Sequence, residues 1–561
     1  IGAESYGLQS VKSLKVARKF LATVARFKAR AAWHGTSAEG NPSGGNKFRG
    51  LYNIVLKSIG AANKKNPDVR LDDVIEYGEP MEASGYYFMD SPGNDLESIA
   101  GQVASGCNMI FFVTGNGSVT NFPFVPTIKI VTTSERFELL KNDMDVNAGA
   151  YLDGTPMDDL GQETFNLMLQ VASGQKSVGE KAGHSQVQLW RNWQQRDASR
   201  LEHLQDRTKP TGEPIAVQKL EQPSSRNFLA KELGGRVSTD KVALILPTSL
   251  CSGQVASAIA QRLTAKGLGK DKGIDRFVAL SHTEGCGVSG GATATMQTET
   301  LLNYLRHPFV AHALLLEHGC EKTHNDHMAG HFKSLGLTPD QFGWASIQLD
   351  GGIEKVMEKV DAYFEAVLEK AGEVHEKTVG LSHVRLGLSS VGLPSKESGK
   401  ASGTLIRQIV SAGGTVVLPE NAALLENSGF LKEVGFKDTP EASLAYGQYA
   451  EKVGLHIMQT PTEHWVETLT GLGATGVELA LVNVETHPLQ SHPLVPVLQV
   501  TSSQECAHRY SNDVDAFLSE VSSNDLLNLI LETLSKNRQP KLAPTVNADF
   551  QMTRGQLGIS M

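Results

Sequence analysis

Residues 277–291 read FVALSHTEGCGVSGG. Four apolar residues end at Ser281, and a loop carrying His282, Glu284 and Cys286 follows at once. A short apolar run that gives way to reactive side chains is the pattern of a buried parallel strand whose carboxyl end opens on a crevice. The neighbouring runs agree. Val242–Pro247 is an unbroken VALILP, and residues 313–317 (ALLLE) lead directly into HGCEK, residues 318–322. Helical periodicity fills the intervals, the alternation expected of right-handed βαβ units. The two strand ends bring His282, Glu284, Cys286, Cys320, Glu321 and Lys322 to one crevice. Such a set can run acid/base chemistry or hold a metal, with His282, Glu284 and Glu321 as the candidate ligands. His324, His327 and His331 read as a solvated helix face. Gly285, Gly287 and Gly290 formally spell a dinucleotide fingerprint, but that loop must bring bare backbone to a pyrophosphate. Here it opens with His282 and Glu284, and Glu317 lies beyond the usual spacing, so no nucleotide cofactor is expected.

Moving toward the N-terminus, residues 10–32 have helical periodicity and end in a loop, 35–50, rich in Gly, Asn, Pro and Ser. Residues 41–51, NPSGGNKFRGL, precede a helical stretch at 51–62. Backbone amides at a helix start, beside Lys47 and Arg49, favour a carboxylate or phosphate, and Asn41, Asn46 and Lys47 are candidates to hold it. Strands are expected at 85–89, 109–114 and 125–131. Thr114, Gly115 and Gly117, in TGNGS after the second of these, offer further backbone donors, and Asp145 and Asn147 add an acid and an amide. An amphipathic helix at 160–172 precedes a polar stretch, 174–221, that reads as a linker. Toward the C-terminus, strands are expected at 384–388, 416–419, 455–458, 477–482 and 495–500.

The chain repeats itself. GYYFMDSP (85–92) returns as GLHIMQTP (454–461), and after one inserted residue the match continues in register. Ala104 and Gly106 answer to Ala474 and Gly476, Pro123 and Pro126 to Pro493 and Pro496, and Asn142 and Asp145 to Asn512 and Asp515. Identities at one constant offset indicate a duplicated domain, and a period this long excludes a solenoid.

The composition fits this picture. At roughly 150 residues per domain, 561 residues suggest three or four domains. A net charge of −9 with no basic run argues against nucleic-acid and anionic-membrane partners. No apolar stretch approaches the ~20 residues of a membrane span. Five cysteines without a CxxC pair suit a reducing, cytoplasm-like compartment. The basic, amphipathic first thirty residues and the initial Ile1 suggest an N-terminally incomplete chain, which leaves an organellar signal open.

NPSGGNKFRGL, the TGNGS turn, FPFVPTIKI (122–130) and MDVNAG (144–149) together resemble the C-terminal domain of the altronate/galactarate dehydratase family. SHTEGCG and HGCEK resemble that family's second domain. The resemblance spans about 35–175 and 240–560. It implies a hydro-lyase that converts a sugar acid such as galactarate or altronate to a 3-deoxy-2-keto acid with a divalent metal, Fe2+ or Mn2+. A related branch removes sulfite from sulfolactate. A non-catalytic or regulatory paralogue is the alternative, and a dinucleotide-binding oxidoreductase rests on the glycine pattern alone. The implied fold is α/β and multi-domain, with three-layer αβα Rossmann-like sandwiches, mostly parallel sheets and one duplicated domain.

The corresponding division is a C-terminal-type domain at 1–190, a polar linker at 191–238, a second-domain-type unit at 239–380 and a degenerate C-terminal-type copy at 381–561. The expected partner is a small sugar acid, with homo-oligomers anticipated. Departures are specific. No segment matches the family's SAF-like domain, residues 235–241 are degenerate, and Asn116 stands where the family has Arg. In the last copy TGNG becomes VETH (484–487), the opening at 387–399 lacks the family's Cys-Gly-Gly-Ser-Asp, and Phe517 replaces Asn147. That copy therefore reads as a scaffold that keeps packing positions and has lost site positions.

Overall fold

The computed structural model describes residues 1–34, 36–191, 209–286, 291–519, 522–542 and 547–552. In the first region, β1 (Leu71–Ile75) and β2 (Tyr86–Met89) pair in parallel, and β3 (Ile110–Thr114), β4 (Thr127–Val131) and β5 (Val146–Asn147) form a second parallel sheet. Helix Leu14–Trp33 starts at Ser13, whose side chain accepts from Val16 N, and lays Val16 and Phe20 against Leu71 and Val74.

Next come β6 (Asn227–Leu233) and β7 (Arg236–Ser238), which lie inside the stretch expected as a polar linker. They pair antiparallel, and their polar composition has a simple cause. Phe228 and Ala230 point inward while the residues between them face water, so only alternate positions need be apolar.

The middle sheet contains β8 (Val242–Pro247), β9 (Arg276–Ala279), β10 (Val310–Glu317) and β11 (Gly343–Ser346), all parallel, in the order β11-β10-β8-β9. Every residue of β8 is buried, which accounts for its unbroken apolar run. Helix Leu250–Lys266 leaves β8 and stops at Gly267, whose φ of 68° lies in the left-handed region that glycine tolerates. The chain passes from β8 to β9 on one side and then crosses to β10 on the other. The loops after β8 and β10 therefore diverge and leave a crevice at the switch point between them.

Strand β12 (His375–Gly380) pairs antiparallel with β6. The last sheet holds β13 (Arg385–Val391), β14 (Thr415–Pro419), β15 (Gly454–Met458), β16 (Leu479–Val484), β17 (Val497–Thr501) and β18 (Ala516–Phe517), parallel throughout, ordered β15-β14-β13-β16-β17-β18. The fold is thus multi-domain α/β with mostly parallel sheets.

One continuous core joins the middle and last sheets, with Leu302, Phe309 and Leu315 packed among residues such as Val417, Leu469 and Val482. Tyr304 OH donates to Thr470 O (2.6 Å), and His307 Nε2 lies 2.9 Å from Val477 O. The opposite face of the middle sheet packs Ile245 and Leu316 under Val356 and Phe364, and receives Val119 from the first region. That placement sets the first region over the carboxyl ends of β8 and β10.

Candidate functional site

Glu321 organises the crevice. Its carboxylate accepts from Thr248 Oγ1 (2.9 Å), Ser249 Oγ (3.1 Å), His318 N (2.7 Å) and Gly319 N (2.5 Å). Ser249 stands at the N-cap of helix Leu250–Lys266, yet its hydroxyl reaches Glu321 and makes no cap bond. Burial alone would raise the Glu321 pKa, but His318 and the backbone N–H donors outweigh it and hold the carboxyl below its ordinary value. Thr248 and Ser249 were not among the residues singled out from sequence. The signal was present as a Thr-Ser pair immediately after VALILP.

His282 is buried with both ring nitrogens engaged. Nε2 sits 2.9 Å from Pro247 O, and Nδ1 lies 3.1 Å from Glu284 N, which donates to it. Burial pushes its pKa down to about 4, so the ring is neutral near pH 7. The Glu284 carboxylate is ion-paired with Arg191, from the tail of the first region. Arg191 also donates to Thr283 Oγ1 at 2.9 Å.

These bonds settle the fit of a metal to the three expected ligands. His282, Glu284 and Glu321 each turn their donor atoms to a separate protein partner, so they do not form a ligand triad. No group of three His, Cys, Asp or Glu side chains suited to a metal occurs among the described residues. A divalent ion would need other donors.

The cysteines cluster. Cys251 Sγ and Cys286 Sγ are 3.9 Å apart, and Cys320 Sγ lies 3.4 Å from His318 Nδ1. Burial, then the neighbouring Cys286 and Glu321, pushes the Cys320 thiol well up, so it is protonated at neutral pH. Lys322 N donates to Gly285 O (2.9 Å), tying the two strand-end loops together. Burial, with Lys47 nearby, lowers the Lys322 ammonium below the ordinary lysine value. His324, His327 and His331 do not form a solvated face. They are half-buried, the His327 and His331 rings lie 4.6 Å apart, and His327 Nε2 sits 3.3 Å from Thr298 Oγ1. The formal glycine pattern continues into residues 287–290, which lie outside the described residues.

The NPSGGNKFRGL loop docks on the HGCEK turn. Gly45 N donates to Glu321 O (3.0 Å), and Ser43 Oγ donates to Cys320 O. A Cβ on Gly45 would stand 2.9 Å from Gly319 O and 3.0 Å from the Cys320 backbone, so the glycine permits this approach. The Gly45 amide therefore serves the neighbouring unit. Asn41 Oδ1 accepts from Lys57 Nζ (2.7 Å). Lys47 is exposed and donates to Glu39 O (3.3 Å). Asn46 Oδ1 accepts from Asn116 Nδ2 (2.6 Å), joining this loop to the TGNGS turn.

In that turn Thr114 Oγ1 accepts from Gly117 N (3.1 Å) and Ser118 N (3.2 Å), while Gly115 leaves open space beside Thr132. Asp145 is a backbone organiser: its carboxylate takes Lys129 N (2.8 Å) and Val178 N (2.9 Å). Asn147 Nδ2 donates to Ser134 Oγ (2.9 Å). One further residue escaped the sequence reading. Lys129 is fully buried, and its Nζ has no hydrogen-bond partner among the described residues. Arg49, the other cation of the loop, reaches Gln348 Oε1 at 2.9 Å.

The crevice is thus built by two α/β units meeting at strand ends, a parallel-sheet site closed by a second domain. Residues 1–195 match the D-galactarate/altronate dehydratase C-terminal domain, and residues 231–372 match the D-galactarate dehydratase/altronate hydrolase second domain. The chain belongs to this family. It is 31% identical over 192 residues to altronate dehydratase of Bacillus subtilis (strain 168), covering 34% of this chain and 38% of that protein. Galactarate dehydratase (L-threo-forming) of Escherichia coli (strain K12) is 34% identical over 144 residues, covering 26% and 27%. The (2R)-sulfolactate sulfo-lyase subunit beta of Chromohalobacter salexigens is 30% identical over 179 residues, covering 31% and 46%. The chain spans less than half the length of each of these relatives. No helix among the described residues is long and apolar enough to cross a membrane.

Proposed function

We propose that this chain carries a hydro-lyase site for a sugar acid such as galactarate or altronate, at the junction of the first and middle regions, yielding a 3-deoxy-2-keto acid. The observation that carries the reading is the docking of the NPSGGNK loop on the HGCEK turn, because it joins the two family-matched domains at the switch-point crevice. Eliminating water beside a carboxylate needs a base for the α-proton and a donor for the departing hydroxyl. Lys322 suits the base, since burial favours its neutral amine. Glu321 is too fully bonded to give or take a proton and acts as the organiser of both strand-end loops. The Cys320 thiol, still protonated at neutral pH, is the nearest donor by chemistry.

Incubation with galactarate or altronate, followed by semicarbazide detection of a 2-keto acid, tests the reading; no product from either acid overturns it. Activity should rise with pH as Lys322 deprotonates, with its acid limb below the ordinary lysine value. The likeness to a sulfo-lyase subunit supports a second reading, elimination of sulfite from sulfolactate, which is scored by sulfite release. We read residues 381–561 as a scaffold copy of the first region. Glu485 supports this: it fills its own crevice by accepting from Asn483 Nδ2 (2.6 Å) and Ser502 Oγ (2.7 Å).

A further inference from the structure

Two arginines of the first region converge on one residue of the middle region. Arg49 Nη1 donates to Gln348 Oε1 (2.9 Å), and Arg136 Nη1 donates to Gln348 O (3.1 Å). Gln348 is buried just beyond β11, and its backbone N donates to His318 O (2.9 Å), so the pair sits beside the HGCEK turn. A Cβ on Gly319 would lie 3.0 Å from Arg49 Nη2, which places that guanidinium directly on the turn.

Neither arginine has an ion-pair partner among the described residues. Three other partly buried arginines do, Arg262 with Asp361, Arg276 with Asp240 and Arg407 with Glu433, while Arg385, which has none, gives its donors to three backbone carbonyls. The carboxylates near Arg49 are taken, Glu321 by four donors and Glu317 by Asn325 N at 2.6 Å. Each guanidinium carries five N–H donors in a planar fork, and one bond to Gln348 leaves most of them unmet. Two like charges held together raise each other's energy; Glu317 and Glu321 offset part of that cost without pairing directly, and an incoming anion offsets more. Arg49 accordingly titrates below its ordinary value, through burial and then the neighbouring Arg136.

We propose that Arg49 and Arg136 form a clamp for one carboxylate of the sugar acid, resting on the reading of the site given above. The planar fork of arginine matches a carboxylate in two-point contact, which a lysine cannot reproduce. The clamp fixes the substrate end beside Cys320 and Lys322, and it takes the role that the sequence suggested for Lys47.

The test is calorimetric titration of the 561-residue chain and its Arg49→Gln, Arg136→Gln and double variants with galactarate, with L-tartrate as a shorter dicarboxylate and galactitol as the uncharged control. Circular dichroism confirms that each variant is folded. Each single change should weaken galactarate about ten-fold or more, the double change further, and galactitol should not change. Added salt should weaken galactarate binding to the wild type and leave the double variant almost insensitive, which a purely interdomain fastener would not produce. Unchanged galactarate affinity in the double variant overturns the clamp even if dehydration proceeds. Conversely, arginine-dependent binding of L-tartrate without turnover of any sugar acid keeps the clamp and overturns the substrate reading. Failure of the wild type to bind any of these acids overturns both.

Discussion

Strands β3, β4 and β5 and strands β16, β17 and β18 share one parallel pairing pattern and carry different side chains. Ile110 pairs with Thr127 and Val131 with Asn147; at the same offset, Ala480 pairs with Val497 and Thr501 with Phe517. Asp145 takes Lys129 N and Val178 N, and Asp515 takes Gln499 N (2.9 Å) and Lys541 N (2.9 Å). Tyr77 OH donates to Glu97 O, and Tyr446 OH donates to Glu467 O. What differs lies at the carboxyl ends and in the burial. Gly115 faces open space where Glu485 plugs the later copy, and Lys129 is unpartnered where the Gln499 amide bonds both N and O of Leu489. Every residue of β15 and β16 is buried, whereas β2 and β3 leave Tyr86 and Phe111 exposed. Backbone-organising residues persist because losing them costs the sheet. Residues at the strand ends diverge because only a ligand constrains them.

The largest effect should come from removing the hub. Glu321→Ala leaves two hydroxyls and two backbone N–H groups without their acceptor in a buried crevice, costing at least about 3 kcal/mol. Glu485→Ala removes bonds in a half-buried place and should cost about 1–2 kcal/mol with activity retained. Urea unfolding of both variants decides it, and equal losses would mean the two crevices are equivalent.

Transplanting the plug comes next. Gly115→Glu copies Glu485 into the first region. The nearest side-chain atom to a Cβ there is Thr132 Oγ1 at 3.9 Å, and the backbone is outside the left-handed region, so stability should change by less than about 1 kcal/mol. A carboxylate at that point repels an anionic substrate, and galactarate affinity should fall about ten-fold or more. Unchanged affinity would place the working crevice elsewhere.

Much of this was legible in the residues. The apolar strands of the middle and last sheets announced themselves because parallel sheets bury both faces, and the crevice followed from what stood at their ends. The rest was hidden for definite reasons. GWAS in β11 is too short and too mixed to read as a strand. The alternation in β6 looked like a linker because half its residues face water. Nothing in TIKIV marks Lys129 as buried, yet Gly179 and Asn121 close over it, so the strand is covered on both faces. Arg191 and Arg136 meet their partners only through long-range folding, which no local pattern reports.

Lys129 offers a sharper comparison. In the later copy Gln499 caps the Leu489 peptide; in the first, the Val119 peptide serves His318 Nε2 instead (3.4 Å), and the ammonium, with Asp143 and Asp145 in range of its charge, has no hydrogen-bond partner among the described residues. Lys129→Gln should therefore stabilise by about 1–2 kcal/mol at pH 7. Burial lowers the folded-state pKa of Lys129 below 10.5. Between the folded and unfolded values the unfolded chain holds the extra proton, so the wild type gains stability as pH rises toward 10.5. The variant should lose that rise. Urea midpoints followed from pH 7 up to pH 10.5 measure it, and a destabilised variant would show that Lys129 is paired in solution.

The smallest effect belongs to Lys47, the residue that the loop sequence favoured most. Its ammonium is exposed on Glu39 O, and an exposed contact of that kind contributes at most about 1 kcal/mol. Lys47→Ala should leave the urea midpoint unchanged and weaken galactarate less than about three-fold, as should Lys400→Ala in the later copy, where the side chain is equally exposed. One difference should separate the two. Lys47 lowers the pKa of Lys322, so its removal lets that ammonium hold its proton to higher pH. The acid limb of the rate profile should move upward in pH for Lys47→Ala and stay fixed for Lys400→Ala. A loss of galactarate affinity in Lys47→Ala as large as in Arg49→Gln would instead mean that the loop swings its lysine onto the ligand, and that the exposed position describes only the free chain.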